Sequence, residues 1–416
     1  MKKYILIPIM CLLFIQGKSQ VDANNKPIDI KYRRSSLHTI LVENDKFPYR
    51  DTVLNAYYNA PFPEKYNNQM LPEKSFNPSL YANMALVKDN DYPNMINNYL
   101  TQNKIASKLV SKWFNRQPDG SFNMDLVSER GAYNATEMEA LIAQKSARGV
   151  SALKDAGEEL IGNTFVVVSR FNFVSNAYAA AAVNVGATVA IDNLVSNDLL
   201  RMGLHFAKNL ITEKAAEGYS VWCTSYLYKL TWNDSISSIF YNDYWMDKKH
   251  LDLAKKTKFE HNNLFKLEYV GTENSTSLIT FSLKESRTAE RYVSLATVRS
   301  VDKVYAKLQK KYDVFKTKTP LYTGFPITAK IGMKEGVEKG DKYEVLEQVV
   351  NDKGLTKYVR KGVISVDGKL IWDNRYNAAE QLEAKAKTDN NSISLDRTTF
   401  NGGQNYYPGM LIRQIK

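Results

Sequence analysis

From Arg287 to Phe315 apolar residues recur at threes and fours: Tyr292, Leu295, Val301, Val304, Leu308, Tyr312 and Phe315. That spacing gathers them on one face of a long amphipathic helix, with Lys303, Lys307, Lys310 and Lys311 on a solvated remainder. Lys316-Thr-Lys-Thr-Pro320 then breaks the period, since proline has no amide to donate. Past this break the pattern changes. Short β-prone runs at 322–331, 342–350, 357–366 and 369–372 alternate with turns at Gly336, Gly340-Asp341, Asn351-Asp-Lys-Gly354 and Asp367-Gly368. A short helix over 378–387 and a closing strand over 410–415 complete the segment. Strands this short and close predict a small barrel or sandwich. One junction therefore separates two bodies.

Upstream of it the signals are mixed. Met95 to Lys112 has helical spacing, and Asp119-Gly120 between aromatic flanks predicts a hairpin over 113–127. Asn134-Ala-Thr-Glu137 has the form of a helix start, with the helix running towards Leu160 and stopped by Gly162-Asn163. Thr164 to Val168 is a β-branched run suited to a buried strand. A helix over 197–216, a long strand over 219–232, and strands over 264–270 and 277–283 around a turn at Gly271-Thr-Glu-Asn274 follow. Residues 20–95 show recurrent proline without periodicity, which predicts an extended segment. Their many aromatics favour packing against the main body over disorder. The expected fold class is α+β, a mixed α/β-sheet central domain over 96–316 followed by a small C-terminal β-barrel over 320–416.

Residues 1–19 have the grammar of a secretory signal peptide: Lys2 and Lys3, an apolar run from Tyr4 to Ile15, then Gly17 and Ser19 at the −3 and −1 positions of a cut. The run is about a dozen residues, short of the roughly 20 that span a bilayer. Cys11 lies mid-run after Ile9 and Met10, without the small residues that precede a lipidation site. The expectation is an exported protein, periplasmic or outer-membrane associated, with no lipid anchor and no transmembrane segment in the mature chain. Export leaves Cys223 as the one thiol, so no intramolecular disulfide forms and each body stands on its hydrophobic core. Lys2, Lys3 and Lys18 belong to the leader, which takes the charge from +12 to +9. A spread basic excess permits weak peripheral attraction to lipid headgroups or anionic polymer. Export argues against nucleic acid as a partner.

The stretch Ala329-Lys-Ile-Gly-Met-Lys-Glu-Gly336-Val-Glu-Lys-Gly340-Asp341-Lys-Tyr-Glu-Val345 resembles the C-terminal β-barrel module of the flagellar-assembly protein T family and related envelope proteins. In that module a Gly-x-x-x-Gly-Val-x-x-Gly-Asp-x-[Tyr/Phe]-x-Val run forms a turn between barrel strands. The order of elements before it is similar to the α+β domain of that family and of curli-secretion lipoproteins. The whole chain also resembles a secreted family of the Bacteroidetes, a likeness that implies no activity. What these resemblances imply is architecture and an envelope setting.

Catalytic, cofactor and metal motifs give no residue to name. A phosphate loop needs Lys and Ser/Thr after its second glycine, and Gly336 is followed by Val337-Glu338 while Gly340 is followed by Asp341. No two of His38, His205, His250 and His261 stand at i, i+4. Ser35-Ser36 beside His38 is not a triad, which is recognised by spatial geometry. The alternating positions of the long strand gather Trp222, Tyr226, Tyr228 and Trp232 on one face. Core packing under a helix layer is the first reading of that face. Exposed, it would be a surface for stacking a sugar or a partner. The functional expectation is a non-enzymatic envelope assembly or interaction protein, binding envelope proteins or cell-surface polymer. A glycan-acting hydrolase or a polymer-binding module is the alternative.

Overall fold

A computed structural model describes residues 32–43, 49–84, 86–134, 157–158, 160–175, 218–280, 288–350, 356–378 and 395–415. The expected helix over 197–216 lies outside them, as do most of the helix from Asn134 to Leu160 and nearly all of that over 378–387.

The fold is α+β, a mixed sheet covered by helices and followed by a closed barrel. In chain order the first body comprises β1 (Ser35–Val42), α1 (Arg50–Tyr58), β2 (Tyr66–Asn68), β3 (Ser75–Phe76), α2 (Tyr92–Gln102), α3 (Ile105–Trp113) and α4 (Asp125–Asn134). It continues with β4 (Thr164–Ser175), β5 (Gly218–Leu230), α5 (Asp234–Ile239), α6 (Leu253–Glu260), β6 (Leu267–Thr280) and α7 (Ala289–Lys311). Strand order is β2-β1-β4-β5-β6, with β3 also on β1; β1 and β4 run parallel, and β4, β5 and β6 antiparallel. Side chains alternate across these strands, so each one feeds two cores. Ile40, Val166, Val168, Tyr226 and Tyr228 meet Ile96, Leu109 and Trp113 of α2 and α3 on one side. Leu37, Phe165, Val167, Cys223 and Leu227 meet Val53 of α1 and Val293, Val304 and Leu308 of α7 on the other. Burial on both faces explains the unbroken β-branched run in β4.

The second body is a ring in the order β10-β11-β8-β7-β12-β9, from β7 (Thr319–Gly324), β8 (Ile327–Ala329), β9 (Lys342–Val350), β10 (Thr356–Val366), β11 (Thr398–Gly402) and β12 (Leu411–Gln414). Leu321, Ile327, Val345, Ile364, Phe400 and Ile412 fill it. Residues 369–372 are not a strand; Trp372 makes an isolated bridge to Gly332.

Four local expectations give way to tertiary structure. The stretch read as extended contains β1, which pairs between β4 and two short strands, and α1. Met95 to Lys112 is two helices, because Lys104 adopts a left-handed conformation (φ 51) and ends the first. Asp119-Gly120 does turn, with Asp119 accepting from the Ser121 amide and hydroxyl, but α3 and α4 flank it where a hairpin was expected. Gly271 is not in a turn. It sits beside a bulge in a continuous β6, where a Cβ would come 2.1 Å from the Tyr312 hydroxyl. The glycine admits a close neighbour and does not reverse the chain.

The Gly332–Asp341 motif links β8 to β9 as a structural turn. Gly336 caps a short 3₁₀ turn with φ +71, and a Cβ there would lie 2.8 Å from Ala306 on α7. Asp341 accepts from the Glu338 amide at 2.9 Å and pairs with Lys310 of α7 at 3.3 Å. The motif therefore docks the barrel on the long helix.

A candidate ligand cleft between sheet and barrel

Where α7 meets the barrel a cleft of about 600 Å³ opens. Its floor is one face of α7: Asp302, Tyr305, Ala306 and Gln309, spaced i, i+3, i+4, i+7 and spanning about 10 Å of helix. The barrel contributes Lys318 and Tyr322 from the start of β7, Lys330, then Lys334 and Glu335 from the motif turn, and the segment Trp372–Arg375. Tyr32 and Arg33 before β1, and Glu64, Lys65 and Tyr66, close the remaining side. Six cations therefore line the space against four carboxylates.

The walls are fastened across the two bodies. Within the first body Gln309 donates to the Tyr66 hydroxyl at 2.8 Å, and Tyr66 stacks on Phe315. Across to the barrel, Arg299 donates from Nε and Nη2 to the Tyr376 carbonyl. Lys65 lies 3.9 Å from Glu335, their side chains 18% and 19% exposed. Burial lowers the Lys65 pKa, with Glu335 opposing. Glu335 also accepts from the Gly332 amide and from Asn374 Nδ2, both at 2.8 Å, and Asn374 Oδ1 accepts from the Lys334 amide. Asp373 is held by Arg375 in a two-pronged pair at 2.8 and 2.6 Å.

Asp302 is different. Its Oδ2 is buried and has no hydrogen-bond partner. Burial pushes its carboxyl up to about 6, Glu335 adds to the rise, and Lys334 and Arg299 oppose it. At the opposite wall Lys318 lies over the Tyr358 ring at 4.4 Å. Burial brings that ammonium down to about 8; Arg413 and Arg34 lower it further and Glu344 works against them. The fall is mainly one of desolvation, with the two arginines adding to it, and Arg413 is itself paired with Glu344 at 2.6 Å.

The basic clusters apparent in the sequence have other partners. Lys307 and Lys303 donate to the Asn274 and Thr276 carbonyls of β6, the edge strand, and Lys311 pairs with Glu273. They cover an open sheet edge. Lys255 and Lys256 donate to the Trp245 and Pro118 carbonyls, and Lys258 pairs with Asp243.

The aromatic face of β5 is nowhere near the cleft lining. Trp222, Tyr226 and Tyr228 are 3%, 2% and 0% exposed. Tyr226 stacks on Tyr92, and the Tyr228 hydroxyl donates to the Pro93 carbonyl at 2.7 Å. Trp232, half-buried, packs among Phe114, Phe240 and Phe265. A face covered by α2 and its neighbours cannot stack a sugar, so the candidate site moves from β5 to the cleft. Sequence reading missed the cleft because its residues come from six separated segments. The nearest signal was the Gly332–Asp341 motif, which builds one wall.

Among the described residues no three His, Cys, Asp or Glu are grouped to hold a metal ion, and no helix is long and apolar enough to cross a membrane. Cys223 is fully buried, and burial pushes its thiol up to about 12. No protein-family model matches the chain, and no curated protein matches it.

Proposed function

We propose that this chain is an exported, non-enzymatic interaction protein of the cell envelope that holds an acidic segment of a partner protein in the cleft between sheet and barrel. The observation that carries the proposal is the cationic excess of that cleft, with Lys318 set among further cations. The leader-like N-terminus supports export, and the likeness of the Gly332–Asp341 turn to envelope barrel modules supports the setting. Charges in a concave, partly desolvated site act more strongly than the same charges on an open surface.

Isothermal titration of the protein with a hexa-aspartate peptide tests it. Saturable binding that weakens with salt is expected, with about a tenfold loss for Lys334→Glu and for Lys318→Glu, the cost of one reversed contact. Undetectable binding, or binding indifferent to both changes, would refute the proposal.

A glycan-acting hydrolase is the second reading, favoured by one observation, the Asp302 carboxyl raised towards neutrality inside a cleft. A glycosidase needs a second carboxylate beside such an acid. Of the other lining carboxylates, Glu335 acts on Asp302 electrostatically, but it and Asp373 are engaged in the hydrogen bonds that build the wall. The non-enzymatic proposal therefore expects no hydrolysis across a panel of neutral and acidic glycans. Turnover lost in Asp302→Asn would replace it with the second reading.

A further inference from the structure

Resting on the proposal that the cleft binds an acidic ligand, we infer that Asp302 couples this binding to protons, its carboxyl neutral when the ligand is seated and ionised when the cleft is empty at neutral pH. Three observations converge. Asp302, near the middle of α7, lines the cleft together with Lys334 of the motif turn and Tyr305. Its Oδ2 is buried without a hydrogen-bond partner, a state that an ionised carboxylate tolerates poorly and a neutral one tolerates better. Of the other three lining carboxylates, Glu335 is held by Gly332, Asn374 and Lys65, Asp373 by Arg375, and Glu64 is exposed to solvent. Asp302 is therefore the lining carboxylate that neither water nor a hydrogen-bond donor at Oδ2 compensates, and the one whose charge an incoming anion would oppose most strongly.

The groups that face it fix the direction. Arg299 on the same helix and Lys334 on the barrel turn favour its ionised form, whereas burial and Glu335 favour the neutral one. A ligand carboxylate adds to the second set. Protonation removes a repulsion and supplies an O–H donor that the ligand accepts from. With the carboxyl at about 6, affinity rises as pH falls through that value. Lys318, at about 8, keeps nearly all its charge up to pH 7, so the change in affinity between pH 5 and 7 is the part that reports Asp302.

The measurement is titration calorimetry of the intact protein with hexa-aspartate from pH 5 to 7.5, a range in which the peptide stays essentially ionised. Wild-type affinity should fall about tenfold across the range, and Asp302→Asn should bind at the level of the acid form throughout. Independently of the variant, wild-type titrations near pH 6.5 in two buffers of different ionisation heat should show net proton uptake. A flat wild-type profile, an Asp302→Asn profile that falls as the wild type does, or zero proton uptake overturns the proton link while leaving the binding proposal intact. Absence of binding at every pH overturns both.

Discussion

Gly332→Ala should unfold the cleft wall and lower the stability of the protein by about 3 kcal/mol, at the upper end of overpacking costs. The glycine is not there for a special dihedral, since its φ of −159 suits any residue. It is there because a Cβ would come 2.1 Å from the Trp372 carbonyl oxygen and 2.6 Å from Asn374 Oδ1. The first of these is backbone and has nowhere to go. Trp372 and Gly332 form an isolated bridge, the Met333 amide donates to the Trp372 carbonyl at 2.9 Å, and the Gly332 amide donates to Glu335. A methyl group here forces apart the two segments that carry Lys334, Glu335, Trp372 and Asn374. Hexa-aspartate binding should disappear along with the lost stability. Gly340→Ala is the control: its φ is +91 but nothing lies within 4 Å of a Cβ there, so it should cost only about 1 kcal/mol of backbone strain and leave binding intact. Chemical denaturation of both variants checks the contrast. Equal losses for the two glycines would show that close approach at Gly332 does not hold the wall.

The same contrast shows what was legible in the chain. The long helix and the barrel could be read because each repeats one local rule: apolar positions every three or four residues in α7, and glycine-separated short strands after Pro320. Strand β4 was equally plain, being apolar on both faces. Strand β1 was not. Ser35, Ser36, His38 and Thr39 break its apolar run, yet Ser36 and His38 are fully buried because Arg130 donates to the Ser36 hydroxyl and the Leu71 amide donates to His38 Nδ1. Those partners are over thirty residues away and leave no local trace. Gly271 misled for a related reason, since a glycine demanded by a distant tyrosine looks the same in sequence as one demanded by a turn. Of the cleft, only the motif turn was visible. The charge that matters was hidden within an ordinary basic composition, and the lysines that stood out, Lys307 and Lys311, cover a strand edge.

The pH dependence of stability should show two buried groups working against each other. Burial drops the His38 imidazole to about 4 from its ordinary 6.5, with Lys112 adding to the fall and Glu73 opposing it. Its Nε2 has no hydrogen-bond partner, and the Leu71 amide donates to Nδ1 at 3.3 Å, an arrangement that needs a neutral ring. The unfolded chain takes up a proton near 6.5 that the folded chain refuses until about 4. Stability from His38 is therefore complete above pH 6.5 and is lost as pH falls towards 4, by about 3 kcal/mol. Asp302 runs the other way. Its folded value of about 6 stands above the ordinary 3.8, so its contribution is complete below 3.8 and is lost as pH rises through 6, again by about 3 kcal/mol. Between pH 4 and 6 the two nearly cancel, and the wild-type curve conceals both. Variants separate them. The stability difference between wild type and His38→Gln, measured by urea unfolding, should shift by about 3 kcal/mol from pH 7 to 4 in favour of the variant, whatever constant offset the lost ring introduces. For Asp302→Asn the difference should shift in the variant's favour from pH 4 to 7.5. Differences that stay constant with pH would mean that neither group is held away from its ordinary protonation by the fold, and would remove the electrostatic basis of proton-linked binding in the cleft.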